Sequence, residues 1–361
     1  MSATRSFLCA GLALLVATTV ASAPAAAQQP VQKPNVVFVL ADNVGPQPRG
    51  QARREPSGAP TPRIAQLARE GLRGYQLGQV PFAATSNWNT PIPSNAIYTT
   101  INWPASTGYN YSVAGGNGGG GASAVFFSAA SDPMVAVRCP ATWGWPANPS
   151  LRIPSGATSN PHDTDGEILF VDNSTNTVWN FWQFTRTSDT TATASAYAKT
   201  NIQTGTGWEI RGSRRAAGIT AVGSSVLAGL LVQAETDQGL INHAIGIASE
   251  MDITMTGFDP TWGAVGGDGR RSTGGVVQEG WRVGIPPGTR MPQGDRGPLS
   301  PQGQMVFNAL TTYGGYIVDV AGGVTNIRAQ QNAVGYDETW MNALWHDMGH
   351  IMPLTKKVTL P

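Results

Sequence analysis

A long stretch in the first half of this chain carries almost no charge. From Val80 to Asn160 the charged side chains are Asp132, Arg138 and Arg152, and only 12% of all 361 residues are charged. Helical bundles and coiled coils need polar, largely charged outer faces, so this composition disfavours them. Short strands joined by turns have no such need, and the 44 glycines and 26 prolines supply turn residues between short apolar runs. The chain is therefore predicted to be mainly β.

The most distinct pattern is a β hairpin in the middle of the chain. Gly166–Asp172 and Thr177–Arg186 are β-favouring runs, and the polar turn Asn173–Asn176 separates them. Short runs of strand length precede and follow this hairpin, which predicts a β-sandwich or jelly-roll-like fold. A few helices are predicted after the β-rich part, and their ranges are Ile219–Glu235, Ile241–Ser249, Pro301–Tyr313 and Glu338–Met352.

The first residues have the organisation of an export signal. Arg5 precedes an apolar run from Phe7 to Val20, and small residues follow as far as Ala27. This order predicts a secretory signal peptide over residues 1–27, and hence a secreted or periplasmic protein. The apolar run is shorter than the roughly 20 residues of a membrane span, so membrane insertion is not expected. Lys and Arg (23) nearly balance Asp and Glu (22), so nucleic acid is not an expected partner.

Residues 31–76 differ in character from the rest of the chain. The apolar run Val36–Leu40 leads to Asp42, and a helix pattern follows with Thr61 as its cap and Pro62 in its first turn. This order resembles the N-terminal start of the arylsulfatase family, whose fold is of the alkaline-phosphatase-like α/β type. The resemblance implies a metal-binding role for Asp42. The formylglycine motif of that family does not follow the helix, so a short α/β remnant without sulfatase activity of its own is predicted.

Ionisable residues are concentrated just before the hairpin. Asp165 and Glu167 alternate along an extended chain, so their side chains are predicted to share one face, with Cβ atoms about 7 Å apart. Two carboxylates at such a spacing suit acid–base catalysis on a glycosidic bond, or the binding of a hard cation such as Ca²⁺. The alternative is an ordinary polar turn at the start of a strand.

A histidine and a carboxylate form a second candidate pair. His243 is predicted on a helix that begins near Gly239, at an otherwise apolar position, and Glu235 lies a short distance upstream. Glu235 would raise the pKa of His243 and orient its ring as a general acid or base. The alternative is a buried structural histidine.

Further candidates follow later in the chain and in the hairpin itself. Glu279 and Arg282 are predicted on opposite faces of a strand, with Glu279 in a catalytic role and Arg282 holding a uronate carboxylate in a bidentate pair. Tyr316 would supply a phenol near Asp319, and Trp182 would supply a flat platform for a sugar ring. The alternatives are an ion pair at a strand edge, helix packing and a hydrophobic core, respectively.

Residues 80–357 also resemble a group of secreted bacterial proteins of unknown activity. The resemblance covers most of the mature chain and implies a β-rich secreted domain, but no particular reaction. The shared segments are Trp88–Pro93, Asp165–Glu167, Ile241–Ala244, Glu279–Gly280 and Tyr313–Tyr316.

Taken together, the sequence predicts an exported glycan-active protein that binds a polysaccharide or cleaves it by lyase or hydrolase chemistry. Ca²⁺ is the one cofactor that the sequence suggests. One alternative is a structural or adhesive surface module that self-assembles, without catalysis, and another is a degenerate arylsulfatase-related protein. The predicted catalytic residues are Asp165, Glu167, Glu235, His243 and Glu279, and the predicted substrate contacts are Trp182, Arg282 and Tyr316.

Overall fold

The computed structural model describes residues 75–107, 110–117, 119–160, 163–208 and 215–361. These residues all belong to one structural unit, which spans residues 60–361. The predicted signal peptide, nearly all of the sulfatase-like segment and its Asp42 lie outside the described residues. Both assignments therefore stay predictions.

Among the described residues, strands outweigh helices, 31% against 14%, so the predicted mainly β fold is confirmed. The helices, numbered in chain order, are α1 (Val226–Gly229), α2 (Gln233–Thr236), α3 (Pro301–Thr312) and α4 (Glu338–Ile351), and 3-10 turns span Pro260–Trp262 and Met352–Leu354. The strands are β1 (Ile97–Thr100), β2 (Tyr111–Gly115), β3 (Ala124–Ser128), β4 (Met134–Arg138), β5 (Ser150–Arg152), β6 (Ile168–Asp172), β7 (Thr177–Trp182), β8 (Thr185–Arg186), β9 (Thr191–Thr193), β10 (Ala196–Asn201), β11 (Ile245–Glu250), β12 (Thr254–Phe258), β13 (Val277–Glu279), β14 (Arg282–Gly284), β15 (Gln293–Gly294), β16 (Gly297–Pro298), β17 (Gly315–Ala321), β18 (Thr325–Ala329) and β19 (Lys356–Thr359).

Seven of these strands form the largest sheet, in the order β1-β19-β14-β17-β11-β18-β2. The sheet is mixed, since β11 runs parallel to β17 and antiparallel to β18. All six residues of β11 are buried, because strands flank it on both sides and both faces of the sheet are covered there. Two four-stranded sheets, in the orders β10-β7-β6-β3 and β5-β4-β9-β8, make up most of the remaining β structure. We call them the middle sheet and the outer sheet.

The middle sheet is covered on both faces, and strand β6 shows why. Leu169 and Val171 belong to the same core cluster as Val318 of the large sheet. Ile168 and Phe170 point to the opposite face and belong to the core cluster of the outer sheet. Alternate side chains of a strand face opposite ways, so four consecutive apolar residues bury both faces at once. The three sheets are therefore stacked face to face.

Helices α3 and α4 lie on the other face of the large sheet. Leu310 of α3 and Met348 of α4 share a core cluster with apolar residues of β11 and β17. Each helix begins at a side-chain cap, since the Ser300 hydroxyl accepts the Gly303 N–H and the Asp337 carboxylate accepts the Trp340 N–H. None of the helices among the described residues has the length and apolar character that a membrane crossing requires.

The predicted hairpin is confirmed, because β6 and β7 pair antiparallel across the turn at residues 173–176. Helices α3 and α4 are confirmed as well. The helix predicted over Ile219–Glu235 is wrong, since only the single turns α1 and α2 form there. The helix predicted over Ile241–Ser249 is also wrong, because that segment leads into strand β11. A continuous apolar run fits a buried helix and a doubly covered strand equally well, so its periodicity could not separate the two.

Candidate functional site

A cleft with a volume of about 760 Å³ is lined by residues of both the middle sheet and the large sheet. The middle sheet and the turn before it contribute Asp165, Glu167 and Trp182. The large sheet contributes Asp319 from β17, with Asn326 and Arg328 from β18, and a loop after β12 adds Gly267, Asp268 and Arg270. Ionisable groups of a charge-poor chain are thus concentrated on both walls of one cavity.

The turn before β6 fixes Asp165 at the mouth of this cleft. The Asp163 carboxylate accepts the backbone N–H of Asp165 at 3.0 Å and that of Gly121 at 2.8 Å, which closes the turn. The backbone carbonyl of Asp165 accepts the N–H of Gln183, the residue after β7. Trp182 precedes it and donates its indole N–H to the Asp165 carboxylate at 3.3 Å. The carboxylate and the aromatic ring are therefore held side by side.

Arg328 joins the two walls of the cleft. Its guanidinium donates to Glu167 at 3.2 Å and to Asp319 at 3.0 Å. The side chains of all three residues are largely withdrawn from solvent, and Glu167 also accepts the Ser123 hydroxyl at 2.9 Å. A buried ion pair of this kind is strongly destabilised when one partner is removed, because the other charge is left without compensation. The Glu167 carboxylate is therefore engaged by both Arg328 and Ser123.

Three carboxylates meet at the base of the cleft. One oxygen from each of Asp268, Glu279 and Asp319 lies within 4.8 Å of the others. Glu279 is fully buried, and its Oε2 accepts the backbone N–H groups of Asp268 at 2.7 Å and Gly269 at 2.8 Å. Asp268 is exposed, whereas Asp319 is partly covered. We call these three residues the acidic cluster.

Burial and like charge shift the pKa values of two members of the acidic cluster. Burial raises the pKa of Asp319 to about 7; Arg328 opposes the rise, while Glu167 and Asp268 add to it. Burial likewise raises the pKa of Glu279 to about 8, and the Asp268 and Asp319 carboxylates add to the rise against the hydrogen bonds from the backbone. Neighbouring carboxylates cannot all ionise cheaply in a low-dielectric site, so the cluster attracts positive charge, either as protons or as a cation.

Glycines allow the loop after β12 to wrap around Glu279. A Cβ atom at Gly267 would lie 2.7 Å from Glu279 Oε2, and one at Gly269 would collide with the carbonyl oxygen of Met255. Only residues without a side chain can approach this closely. The run of glycines around Asp268 was the sequence signal for this part of the site, and it was missed.

The predicted site residues fall into two groups in the structure. Asp165, Glu167 and Trp182 line the cleft, and Glu279 lies in the acidic cluster beneath it. Glu235 and His243 do not line the cleft: they form a buried pair with Glu235 Oε2 3.0 Å from His243 Nε2. Burial lowers the pKa of His243, but the charge and hydrogen bond of Glu235 outweigh it, so the pKa is raised.

Arg282 and Tyr316 are likewise core residues and do not line the cleft. Arg282 donates to the backbone carbonyls of Tyr313 and Thr90, and its guanidinium lies 5.1 Å from the ring centre of Trp262. Tyr316 donates its hydroxyl to the carbonyl of Asn87 at 3.1 Å. Both polar groups are thus engaged within the fold, and neither the predicted uronate contact of Arg282 nor the predicted phenol of Tyr316 is part of the cleft lining.

Asn326 and Arg328 also belong to the cleft, and no sequence signal pointed to them. Both lie on β18, and pairing of β18 with β11 and β2 places them in the large sheet at the cleft. Comparisons of the chain with protein-family models, with curated proteins and with solved structures gave no match.

Proposed function

We propose that this chain is an exported glycan-active protein, which holds a polysaccharide in the cleft and cleaves it by hydrolase or lyase chemistry. Export rests on the signal peptide that the sequence predicts over residues 1–27. One observation carries the glycan proposal: Trp182, with 36% of its surface exposed, lies on the cleft wall with the Asp165 carboxylate hydrogen-bonded to its ring.

The chemistry of this wall suits a sugar. A pyranose ring has an apolar face that stacks on an indole, and its hydroxyl groups hydrogen-bond to carboxylates placed at the edge of the ring. Trp143 is a second indole in the lining, and carboxylates stand on both walls. The cavity volume of about 760 Å³ lies within the range of small-ligand sites, roughly 300–1,000 Å³.

Asp165 is our candidate for direct action on the bound sugar. Glu167 is held by Arg328 and Ser123, whereas the Asp165 carboxylate has the indole N–H of Trp182 and remains partly exposed. A ring stacked on Trp182 would place its linkage oxygen or ring hydrogens near this carboxylate. General acid–base catalysis needs such proximity before any other property.

Two variants and two matched controls test the proposal. Trp182→Ala removes the platform and Asp165→Asn removes the charge, while Trp345→Ala and Asp189→Asn change an exposed tryptophan and an exposed aspartate that do not line the cleft. Binding is measured on a panel of neutral and uronate-containing polysaccharides. Cleavage is followed by new reducing ends and by the unsaturated uronate that a lyase, but not a hydrolase, releases.

We expect Trp182→Ala to weaken binding at least tenfold, which corresponds to about 1.4 kcal/mol, a typical aromatic stacking contribution. Asp165→Asn should abolish cleavage while binding is retained. Both controls should behave like the parent protein. Equal binding by Trp182→Ala and Trp345→Ala would refute the proposal. So would a folded protein that binds nothing on the panel and instead assembles into particles, which is the result expected of a structural module.

A further inference from the structure

In the acidic cluster, the two oxygens of Glu279 and the two oxygens of Asp319 differ in how far the rest of the fold engages them by hydrogen bonds. Glu279 Oε2 accepts two backbone N–H groups, and Asp319 Oδ2 accepts the Arg328 guanidinium. Asp319 Oδ1 accepts only the backbone N–H of the next residue, Val320, at 3.1 Å. Each buried carboxylate is therefore fixed in orientation by one oxygen and presents the other.

A second observation points to a ligand. Glu279 is fully buried, so water does not reach its side chain. Its Oε1 nevertheless has no hydrogen-bond partner among the described residues. Asn326, which is 7% exposed and lines the same cleft, has a buried Oδ1 that is also without a partner in the described part of the chain. Leaving a buried acceptor unsatisfied costs roughly 1–3 kcal/mol, and more for a charged one. Two such oxygens at one cleft therefore call for a donor or a cation.

The charges around the cluster favour a cation. Asp268, Glu279, Asp319 and the nearby Glu167 are all carboxylates, and the ion pairs found among the described residues give them one guanidinium, that of Arg328. Arg270 also lines the cleft, but it is exposed and the contact found for it is with the sulfur of Met251. An additional positive charge would relieve repulsion that the fold alone does not balance.

We propose that Asp268, Glu279 and Asp319 bind a Ca²⁺ ion at the base of the cleft. Ca²⁺ prefers carboxylate and carbonyl oxygens at 2.3–2.6 Å, so oxygens on opposite sides of the ion are about 4.6–5.2 Å apart. Oxygens that lie within 4.8 Å of one another are close enough to share such an ion. Mg²⁺ requires near-octahedral geometry at 2.0–2.1 Å and usually keeps several waters, so three protein carboxylates suit the more flexible coordination of Ca²⁺ better.

The ion would have a role in the cleft beyond stability. Three carboxylate ligands leave coordination positions of Ca²⁺ open, since the ion takes 6–8 oxygens. Sugar hydroxyl or carboxylate oxygens entering the cleft can occupy those positions. This role rests on the proposed function, whereas binding of the ion does not.

Calorimetric titration of Ca²⁺ alone into protein stripped with a chelator tests the site, with Mg²⁺ as the competing ion. Asp268→Asn is the main variant, because Asp268 is exposed and substitutions of exposed residues typically change stability little. Glu279→Gln is the second variant, checked for folding by circular dichroism. Asp189→Asn is the matched control, since it removes an exposed carboxylate that lies outside both the cleft lining and the cluster.

We expect saturable Ca²⁺ binding by the parent protein and by Asp189→Asn, with affinity at least tenfold lower in Asp268→Asn and in Glu279→Gln. Absence of Ca²⁺ binding in the parent protein overturns the proposal. Equal affinity in Asp268→Asn and the parent also overturns it, as does tighter binding of Mg²⁺ than of Ca²⁺. A protein that binds Ca²⁺ but no polysaccharide would refute only the proposed function. Polysaccharide binding or cleavage that is unchanged by the chelator would refute only the role of the ion in the cleft.

Discussion

Replacing Arg328 by glutamine is expected to weaken the connection between the middle sheet and the large sheet. Arg328 is 8% exposed and pairs with Glu167 at 3.2 Å and with Asp319 at 3.0 Å. Glu167 belongs to the turn that enters β6, whereas Asp319 lies on β17, so the two ion pairs link residues of different layers. Glutamine keeps a polar group of moderate length but removes the charge that both carboxylates face.

The magnitude follows from burial. Exposed ion pairs contribute about 0–1 kcal/mol because water screens them, but the side chains of Arg328 and Glu167 retain only 10% and 5% of their exposure. Removing one partner of a buried pair typically costs about 3–5 kcal/mol, since the remaining charge is neither solvated nor compensated. We therefore expect Arg328→Gln to lower the free energy of unfolding by about 3–5 kcal/mol at neutral pH.

Urea unfolding followed by tryptophan fluorescence, in the presence of a chelator, measures this difference. The loss should become smaller as the pH falls through the Asp319 pKa of about 7, because protonation of Asp319 removes one of the carboxylate charges that Arg328 compensates. The double variant Arg328→Gln/Glu167→Gln should recover part of the loss, since one of the stranded carboxylates is then neutral. A loss below about 1 kcal/mol, or one that does not change with pH, would show that the pairs are solvated and would refute this reasoning.

Two further predictions concern other parts of the fold. The raised pKa of His243 means that its protonated form stabilises the fold below the ordinary histidine pKa of about 6.5, and that this contribution is lost as the pH rises through the folded-state pKa. The stability of His243→Gln, measured by urea unfolding, should lack this decline, and parallel pH profiles for the two proteins would contradict the prediction. Gly269→Ala should lower the free energy of unfolding by about 1–3 kcal/mol and weaken Ca²⁺ binding, because its Cβ atom collides with Met255 in the loop that holds Glu279. Gly120→Ala, where a Cβ atom meets only ordinary contacts, is its control, and equal melting temperatures and Ca²⁺ affinities for the two variants would exclude this effect.

Some predicted site residues line the cleft and others lie in the core, and one physical reason explains both outcomes. The sequence showed which side chains could carry chemistry, but their type does not distinguish a cleft wall from a core. Glu235 and His243 satisfy each other at 3.0 Å within the fold, and Arg282 satisfies its donors with backbone carbonyls. A polar group can be buried at little cost when it has a hydrogen-bonding partner. Residues of these types can therefore lie in the core as well as in a functional site.

The sequence by itself determined the features that depend on neighbouring residues. Low charge with frequent glycine and proline predicted the β class. Two β-favouring runs on either side of a polar turn predicted the β6–β7 hairpin. Ser300 as an N-cap, followed by an amphipathic run, predicted α3. The proximity of Asp165 and Glu167 was also local, since only Gly166 lies between them in the chain. Interactions of this range are encoded in adjacent side chains and need no knowledge of the rest of the chain.

Tertiary structure alone decided what depends on distant partners. Strand β11 is a strand because β17 and β18 flank it, although its apolar run suits a helix equally well. Likewise Asp268, Glu279 and Asp319 meet only because the fold brings the loop after β12 and the end of β13 against strand β17. Burial and pairing are properties of the assembled sheets, and no local pattern in the chain contains them.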